Sequence, residues 1–307
     1  MSRYVLITGG TGLIGKPLTN ALLSQGHQVA HLSRSSGKDP RVRTFLWDVK
    51  KGEIDPACII GVDTIVHLAG AGIAEKRWTK KRRKELIDSR TRSIGLLYEL
   101  IQRTPDHQIK RVVSASGINI YGSHGDQWLT EQHPPEHDFL GDCCVQWEAA
   151  VDQGAAMGLS VTKLRTGVVL TTKGGALKPL SLPVKFGFGA PLGNGRQYVP
   201  WLHMDDAVDI YLRSIDGSIP EGVYNMLSPE PVTNEQLTKA IARQLKRPLW
   251  LPKVPAFMIR LVMGEMSKVV LSSVRASAQK LTDVGYRFKY NVIADALKDI
   301  YEQKRSS

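Results

Sequence analysis

Apolar and polar positions along this chain follow two alternating periods. YVLIT at Tyr4–Thr8 is a short apolar run that ends at glycines, the pattern of a buried strand. Leu13, Ile14, Leu18, Leu22 and Leu23 then share one face of a helix expected over Leu13–Gln25. Pro17 is tolerable only near its first turn, and Gly26 stops it. Further strands are expected at Gln28–Ser33, Thr44–Trp47, Asp63–Ala69, Arg111–Ser116 and Val161–Arg165. Helices are expected over about Thr79–Gln102 and over Cys144–Met157. Repeated strand and helix with nearly all-apolar strands imply a parallel sheet covered on both faces, an α/β, doubly wound fold.

The character changes after Leu170. Gly174–Pro200 is rich in Gly and Pro and has little period, which suggests long loops carrying function. Val223–Leu227 reads as a strand, and Thr233 opens a helix with a capping box closed by Gln236. Pro248–Pro255 reads as an extended linker. Short helical patterns follow, ending with Ile293, Leu297 and Ile300 on one face.

Composition narrows the class. With 42% apolar and 23% charged residues, the 307-residue chain has the make-up of a globular protein able to bury a core without staples. Three cysteines, two of them the adjacent Cys143 and Cys144, read as reduced thiols and a cytoplasmic setting. No apolar run approaches the roughly 18 residues of a membrane span. Net charge is +12, and residues 75–92 alone carry nine Lys/Arg against three Asp/Glu. Such an excess suits nucleotides, phosphorylated metabolites, nucleic acid or a membrane surface. Trp78 is the only aromatic in the basic segment, and no nucleic-acid module is present. The expected partner is therefore a small-molecule substrate, with no nucleic acid and no membrane. No metal site is expected, and the oligomeric state is left open.

TGGTGLIG at Thr8–Gly15 follows a strand and opens a helix, the context in which a glycine motif cradles a pyrophosphate. Gly9 allows the tight turn, Gly12 lets backbone amides approach phosphate, and Gly15 lets the helix pack on the sheet. The helix start adds positive partial charge.

Preceded by Thr8, the G-x-x-G-x-x-G spacing resembles the extended short-chain dehydrogenase/reductase family. HLAGAG at His67–Gly72, SAS at Ser114–Ser116 with Tyr121-Gly122, and WLHMDD at Trp201–Asp206 extend the likeness. More narrowly, AEKRWTKKRRKELIDSRTRS, CVQWEAA, GNGRQYVPWLHMDD and the C-terminal RASAQKLTDVGYRFKYNVIADALKDI resemble the subfamily named epimerase family protein 39U. The resemblance implies a nucleotide-binding unit with a Rossmann-type sheet over residues 1–225 and a smaller C-terminal substrate or cap region over 248–298. It also implies a nicotinamide cofactor held by Gly9, Thr11, Gly12, Leu13, Ile14, Gly15, Leu68, Ala69, Gly70 and Val169.

Cofactor choice is set where strand two ends, at HLSRSS. No acid stands there to hold a ribose 2′-hydroxyl, whereas Ser33 and Arg34 suit a 2′-phosphate, so NADP(H) is expected. By resemblance Asp48 faces the adenine amino group, or it is a simple turn acid. In the long helix, Ile87, Ile94, Leu97, Tyr98 and Ile101 mark a buried stripe that includes Arg90. A buried arginine needs an anion, so Arg90 reaches cofactor or substrate, or joins a network with Asp88 or Glu85. Glu85 holds a ribose hydroxyl or tethers a nearby arginine. Most of Lys80–Lys84 is expected in solvent.

Family enzymes use Ser with a Tyr-x-x-x-Lys pair. Here the Tyr and Lys slots fall at Leu140 and Cys144, neither suited to proton transfer. Ser116 keeps the serine slot, and Tyr121 is the alternative proton donor. The expectation is an epimerase- or oxidoreductase-like protein acting on a small, sugar-nucleotide-like or anionic substrate; the alternative is a non-catalytic NADP(H)-binding sensor or scaffold.

Overall fold

The computed structural model describes residues 2–303. The strands in chain order are β1 (Tyr4–Thr8), β2 (Gln28–Ser33), β3 (Arg43–Asp48), β4 (Glu53–Ile54), β5 (Thr64–His67), β6 (Arg111–Gly117) and β7 (Trp128–Leu129). They continue as β8 (Ser160–Thr166), β9 (Val168–Leu170), β10 (Tyr198–Val199), β11 (Trp201–His203), β12 (Gly222–Met226), β13 (Val232–Thr233) and β14 (Arg275–Ala276). The helices used below are α1 (Gly15–Ser24), α2 (Lys80–Gln102), α3 (Phe139–Ala156), α4 (Leu177–Lys185), α5 (Met204–Asp216), α6 (Asn234–Gln244) and α7 (Ala256–Met263). Beyond them lie α8 (Lys268–Leu271), α9 (Gln279–Asp283) and α10 (Ile293–Gln303).

One eight-stranded sheet organises the molecule, in the order β12-β8-β6-β5-β1-β2-β3-β4. Every neighbouring pair is parallel except β3–β4, which is antiparallel. From β1 the chain builds outward through β2 and β3, then returns to lay β5 on the other flank of β1. The reversal leaves a crevice at the carboxyl ends of β1 and β5, where doubly wound sheets bind ligands. The Rossmann-type fold expected from the sequence is the fold observed.

Alternation along β1 assigns its side chains to two cores. Val5 and Ile7 join one buried cluster with Leu18, Leu22 and Ile210; Leu6 joins the other with Leu32, Ile65, Ile94 and Leu97. The first cluster also takes in Leu281, Tyr286 and Phe288, so the C-terminal stretch expected as a small unit shares the main core. β14 pairs with β7, and Asp206 of α5 accepts hydrogen bonds from Lys289 N, Tyr290 N and the Tyr286 hydroxyl.

Element ends follow local chemistry. Thr233 and Gln236 close their capping box at the start of α6. α3 begins at Phe139, five residues before the Cys144 expected, because Asp138 Oδ1 accepts from both Leu140 N and Gly141 N. α1 begins at Gly15 because Gly12 N donates to Gly9 O, so residues 11–14 form turns rather than helix.

Candidate functional site

The glycine turn opens on the crevice. Gly9 sits at φ +72°, a conformation costly for any residue with a side chain, and an added Cβ would lie 3.0 Å from the Leu68 carbonyl. A Cβ on Gly15 would collide with the Gly9 carbonyl, so this glycine serves the packing of α1. Gly12 is different: its only close neighbour would be the Gly9 carbonyl at 3.0 Å, and beyond that the position faces open space. Thr11, Gly12 and Leu13 are exposed, and no side chain caps the first turn of α1. Uncapped helical N–H groups beside exposed glycine form a cradle for an anion.

Sequence reasoning passed over two residues of this turn. Gly10 leaves room for the imidazole of His31, whose Nε2 lies 2.8 Å from Thr19 Oγ1. Thr8 accepts from both Leu68 N and Ala69 N at 3.1 Å, binding the end of β1 to the end of β5. A Cβ added at Gly174 or Gly175 would lie 3.1 or 3.0 Å from the Leu13 side chain, and one at Gly175 also 3.4 Å from the Val169 carbonyl. The Gly-rich segment after β9 therefore folds onto the glycine turn. Ile14 packs against the first core cluster, and Val169 is buried within it.

At the end of β2, Ser33 Oγ accepts from Ser35 N, and Arg34 is exposed with no hydrogen bond or ion pair among the described residues. Asp48 Oδ1 accepts from Lys50 N and Lys51 N, the geometry of a turn acid.

The buried stripe of α2 begins with arginines. Arg82, Leu86 and Arg90 follow one another at four-residue spacing and are all buried; Ile87 is only partly so. Arg82, expected in solvent with its basic neighbours, is 6% exposed because its position shares the face of Leu86. It donates to Glu85 at 2.9 Å, to Glu75 at 3.3 Å and to the Gly72 carbonyl at 2.6 Å. Glu85 thus tethers an arginine, and that arginine is Arg82. Arg90 donates to the carbonyls of Leu86 and Ala71 and lies over the Trp147 ring, with its Cζ 4.9 Å from the centroid. Among the described residues no carboxylate pairs with it: Asp88 is taken by Lys84, and burial draws the guanidinium pKa down. Its Nε is buried and has no partner, and Gly70 packs against its guanidinium. A desolvated cation without an anion therefore lies beside the loop that follows β5.

The expected catalytic pair is differently placed. Ser116 is buried, and its hydroxyl donates to Glu148 Oε1 at 2.6 Å. Glu148 accepts both arms of Arg165, at 2.8 and 3.0 Å. The third donor of Arg165 reaches the Tyr121 hydroxyl at 2.7 Å, which in turn donates to Asn225 Oδ1. Tyr121 is fully buried with its hydroxyl saturated, and burial pushes its pKa up to about 12. The Tyr and Lys slots are filled by Leu140 and Cys144, both buried, and burial drives the Cys144 thiol to about 12. Glu148 and Arg165 were missed as a pair because 17 residues separate them, and neither spacing nor composition marks such a contact.

Residues 5–139 match the NAD dependent epimerase/dehydratase family, and residues 254–300 match a domain of unknown function, DUF1731. Epimerase family protein YfhF of Bacillus subtilis is 33% identical over 304 residues, covering 98% of this chain and 99% of that protein. Epimerase family protein Mb2239 of Mycobacterium bovis is 33% identical over 297 residues, covering 96% and 97%. Among solved structures, human epimerase family protein SDR39U1 with NADPH superposes with a TM-score of 0.84 at 29% identity, over 97% of this chain and 99% of that one. A nucleoside-diphosphate sugar epimerase from Corynebacterium glutamicum gives 0.79 at 30% identity, over 99% and 61%.

Proposed function

The chain belongs to the epimerase family, and on that footing we propose that it binds NADP(H) in the crevice between β1 and β5 and acts on a small molecule beside it. The observation that carries this reading is the glycine turn itself. Gly12 stands exposed where a side chain would fill the cradle, before a helix start with no cap. The residues fit a dinucleotide: Thr11, Leu13 and Ile14 with the three glycines for pyrophosphate, and Leu68, Ala69, Gly70 and Val169 along the nicotinamide half.

Preference for the 2′-phosphate form rests on Arg34 and Ser33. The end of β2 carries no acid, and Arg34 is a free guanidinium fork. The human relative's structure with NADPH agrees with that preference. Asp48 Oδ1 is taken by its own turn, which leaves Oδ2 as the acceptor it would offer an adenine amino group. Arg90, desolvated and without an anion, supplies positive potential beside Gly70. When bound, the cofactor supplies a hydride donor or acceptor. The chain's own residues would orient it, with Leu13 and the Gly174–Gly175 turn beside it lining one side of the cradle.

A second reading, a non-catalytic NADP(H) sensor or scaffold, is favoured by one observation. The slots for acid–base chemistry hold Leu140 and Cys144, while Ser116 and Tyr121 are bound into a buried network. The deciding experiment loads the protein with NADPH, incubates it with a metabolite pool and follows both cofactor oxidation and retained small molecules by mass spectrometry. Turnover with a retained metabolite supports the enzyme. Tight NADPH binding without turnover supports the sensor, and failure to bind either nicotinamide cofactor overturns both.

A further inference from the structure

We propose that the face formed by α7 and the neighbouring 182–188 segment docks on an anionic lipid surface. α7 is apolar at seven of its eight positions, yet only Ile259 is buried. Phe257 and Leu261 are 68% and 80% exposed, and Met258 and Val262 stand beside them at the same four-residue spacing. These side chains form one stripe with no protein to cover it. Leu182, Phe186, Phe188 and Trp250 are exposed as well.

Backbone contacts join the chain just after the second strip to the approach to α7. Val254 N donates to Pro191 O and Gly193 N donates to Val254 O, so residues 191–193 run beside the approach to α7. A Cβ added at Gly189 would meet both Val184 and Leu249, so the end of the 182–188 segment and the residue before Trp250 share one packing site. Scattered apolar residues on a surface are ordinary; a run of this kind marks an interaction site.

Charge selects the partner. Residues 173–204 and 236–264, which hold every one of these side chains, contain ten Lys/Arg and not one Asp or Glu. Lys239 and Lys253 pair with Glu235, just outside the second stretch. Lys185, Lys246, Arg247 and Arg260 are exposed and form no ion pair among the described residues. A second copy of the chain that buried these same stretches would set basic residues against basic residues. An anionic bilayer instead offers acyl chains to the aromatic and aliphatic stripe and headgroups to the basic rim. This departs from the expectation of no membrane partner, which weighed only runs long enough to span a bilayer.

The test is vesicle flotation of the full chain. Vesicles of phosphatidylcholine mixed with phosphatidylglycerol should carry the protein upward, phosphatidylcholine alone should not, and raised salt should release it. Arg260→Ser should weaken binding about fivefold, as expected for one basic residue near the surface. Phe257→Glu with Leu261→Glu should weaken it at least about tenfold, at unchanged circular dichroism and melting temperature. Bromine-labelled acyl chains should quench tryptophan fluorescence in the wild type and much less in Trp250→Phe. No flotation with the anionic vesicles, or flotation indifferent to these substitutions, overturns the proposal. So does a concentration-dependent dimer that Phe257→Glu and Leu261→Glu dissociate, which would assign the face to a second copy.

Discussion

Ser116 donates its hydroxyl to Glu148 at 2.6 Å, and that single contact ties the end of β6 to α3 beneath the expected active site. The carboxylate also takes two hydrogen bonds from Arg165, so the serine is oriented by an ion pair rather than by a Tyr–Lys couple. Burial pushes the Glu148 carboxyl up, but the Arg165 hydrogen bonds and charge, the Ser116 hydroxyl and Lys163 outweigh it and hold the pKa below the ordinary value. A group so depressed adds stability above its unfolded-state pKa, and that stability is lost as pH falls through its folded value. Glu148→Gln should therefore cost about 3–5 kcal/mol at neutral pH, because Arg165 is left buried without its partner. Its melting temperature should also fall less steeply than the wild type's from about pH 5 downward. Parallel acid limbs in the two proteins would show that the pair is not held ionised.

Gly12 and Gly15 should separate binding from folding. A Cβ at Gly15 collides with the Gly9 backbone, so Gly15→Ala should lose roughly 1–3 kcal/mol of stability. Gly12→Val projects into the open cradle; its circular dichroism should be unchanged and its NADPH binding abolished. Retained binding would mean that the glycine serves only the turn.

Calorimetry should find NADPH bound at least about tenfold more tightly than NADH, the gain of one charged hydrogen bond to the 2′-phosphate. Arg34→Ala should bring the two affinities together. Equal affinities in the wild type would remove Arg34 from the site.

Arg90 and Arg83 lie in one basic helix but should behave oppositely. Arg83 pairs with Glu265 and lies over the Phe139 ring at the surface, so Arg83→Ala should leave NADPH affinity nearly unchanged. Arg90→Ala removes the buried cation beside Gly70 and should weaken it at least about tenfold. Equal effects would make both residues scaffolding.

The thiols should be inert in the native state. Burial drives Cys58 and Cys144 to about 12 and pushes Cys143 up as well. Iodoacetamide at neutral pH should label none of the three until denaturant is added, read by intact mass. Rapid native labelling of Cys144 would reopen it as a nucleophile.

What the sequence disclosed was local. The glycine turn, the bounds of β2 and the Thr233–Gln236 box depend on residues within a few positions of one another, and each was legible. The Ser116–Glu148–Arg165–Tyr121–Asn225 network joins five residues across more than a hundred positions, and no period records it. Arg82 was lost in a charge run, where composition suggests water and only its helical phase reveals burial. The start of α3 was misplaced because Asp138 caps it ahead of any apolar signal.

Asp206 has a consequence for the time course of synthesis. Its carboxylate is buried in α5, but all its donors come from Tyr286, Lys289 and Tyr290. A ribosome that has delivered the parallel sheet through β12 still has some sixty residues to add before those donors emerge. At roughly 5–20 residues per second the nascent domain waits several seconds with that carboxylate still open to water and the first core still without Tyr286 and Phe288. Closure of the first core is thus coupled to synthesis of residues 286–290, and a chain stalled before Tyr286 would carry an open core for chaperones and proteases to find.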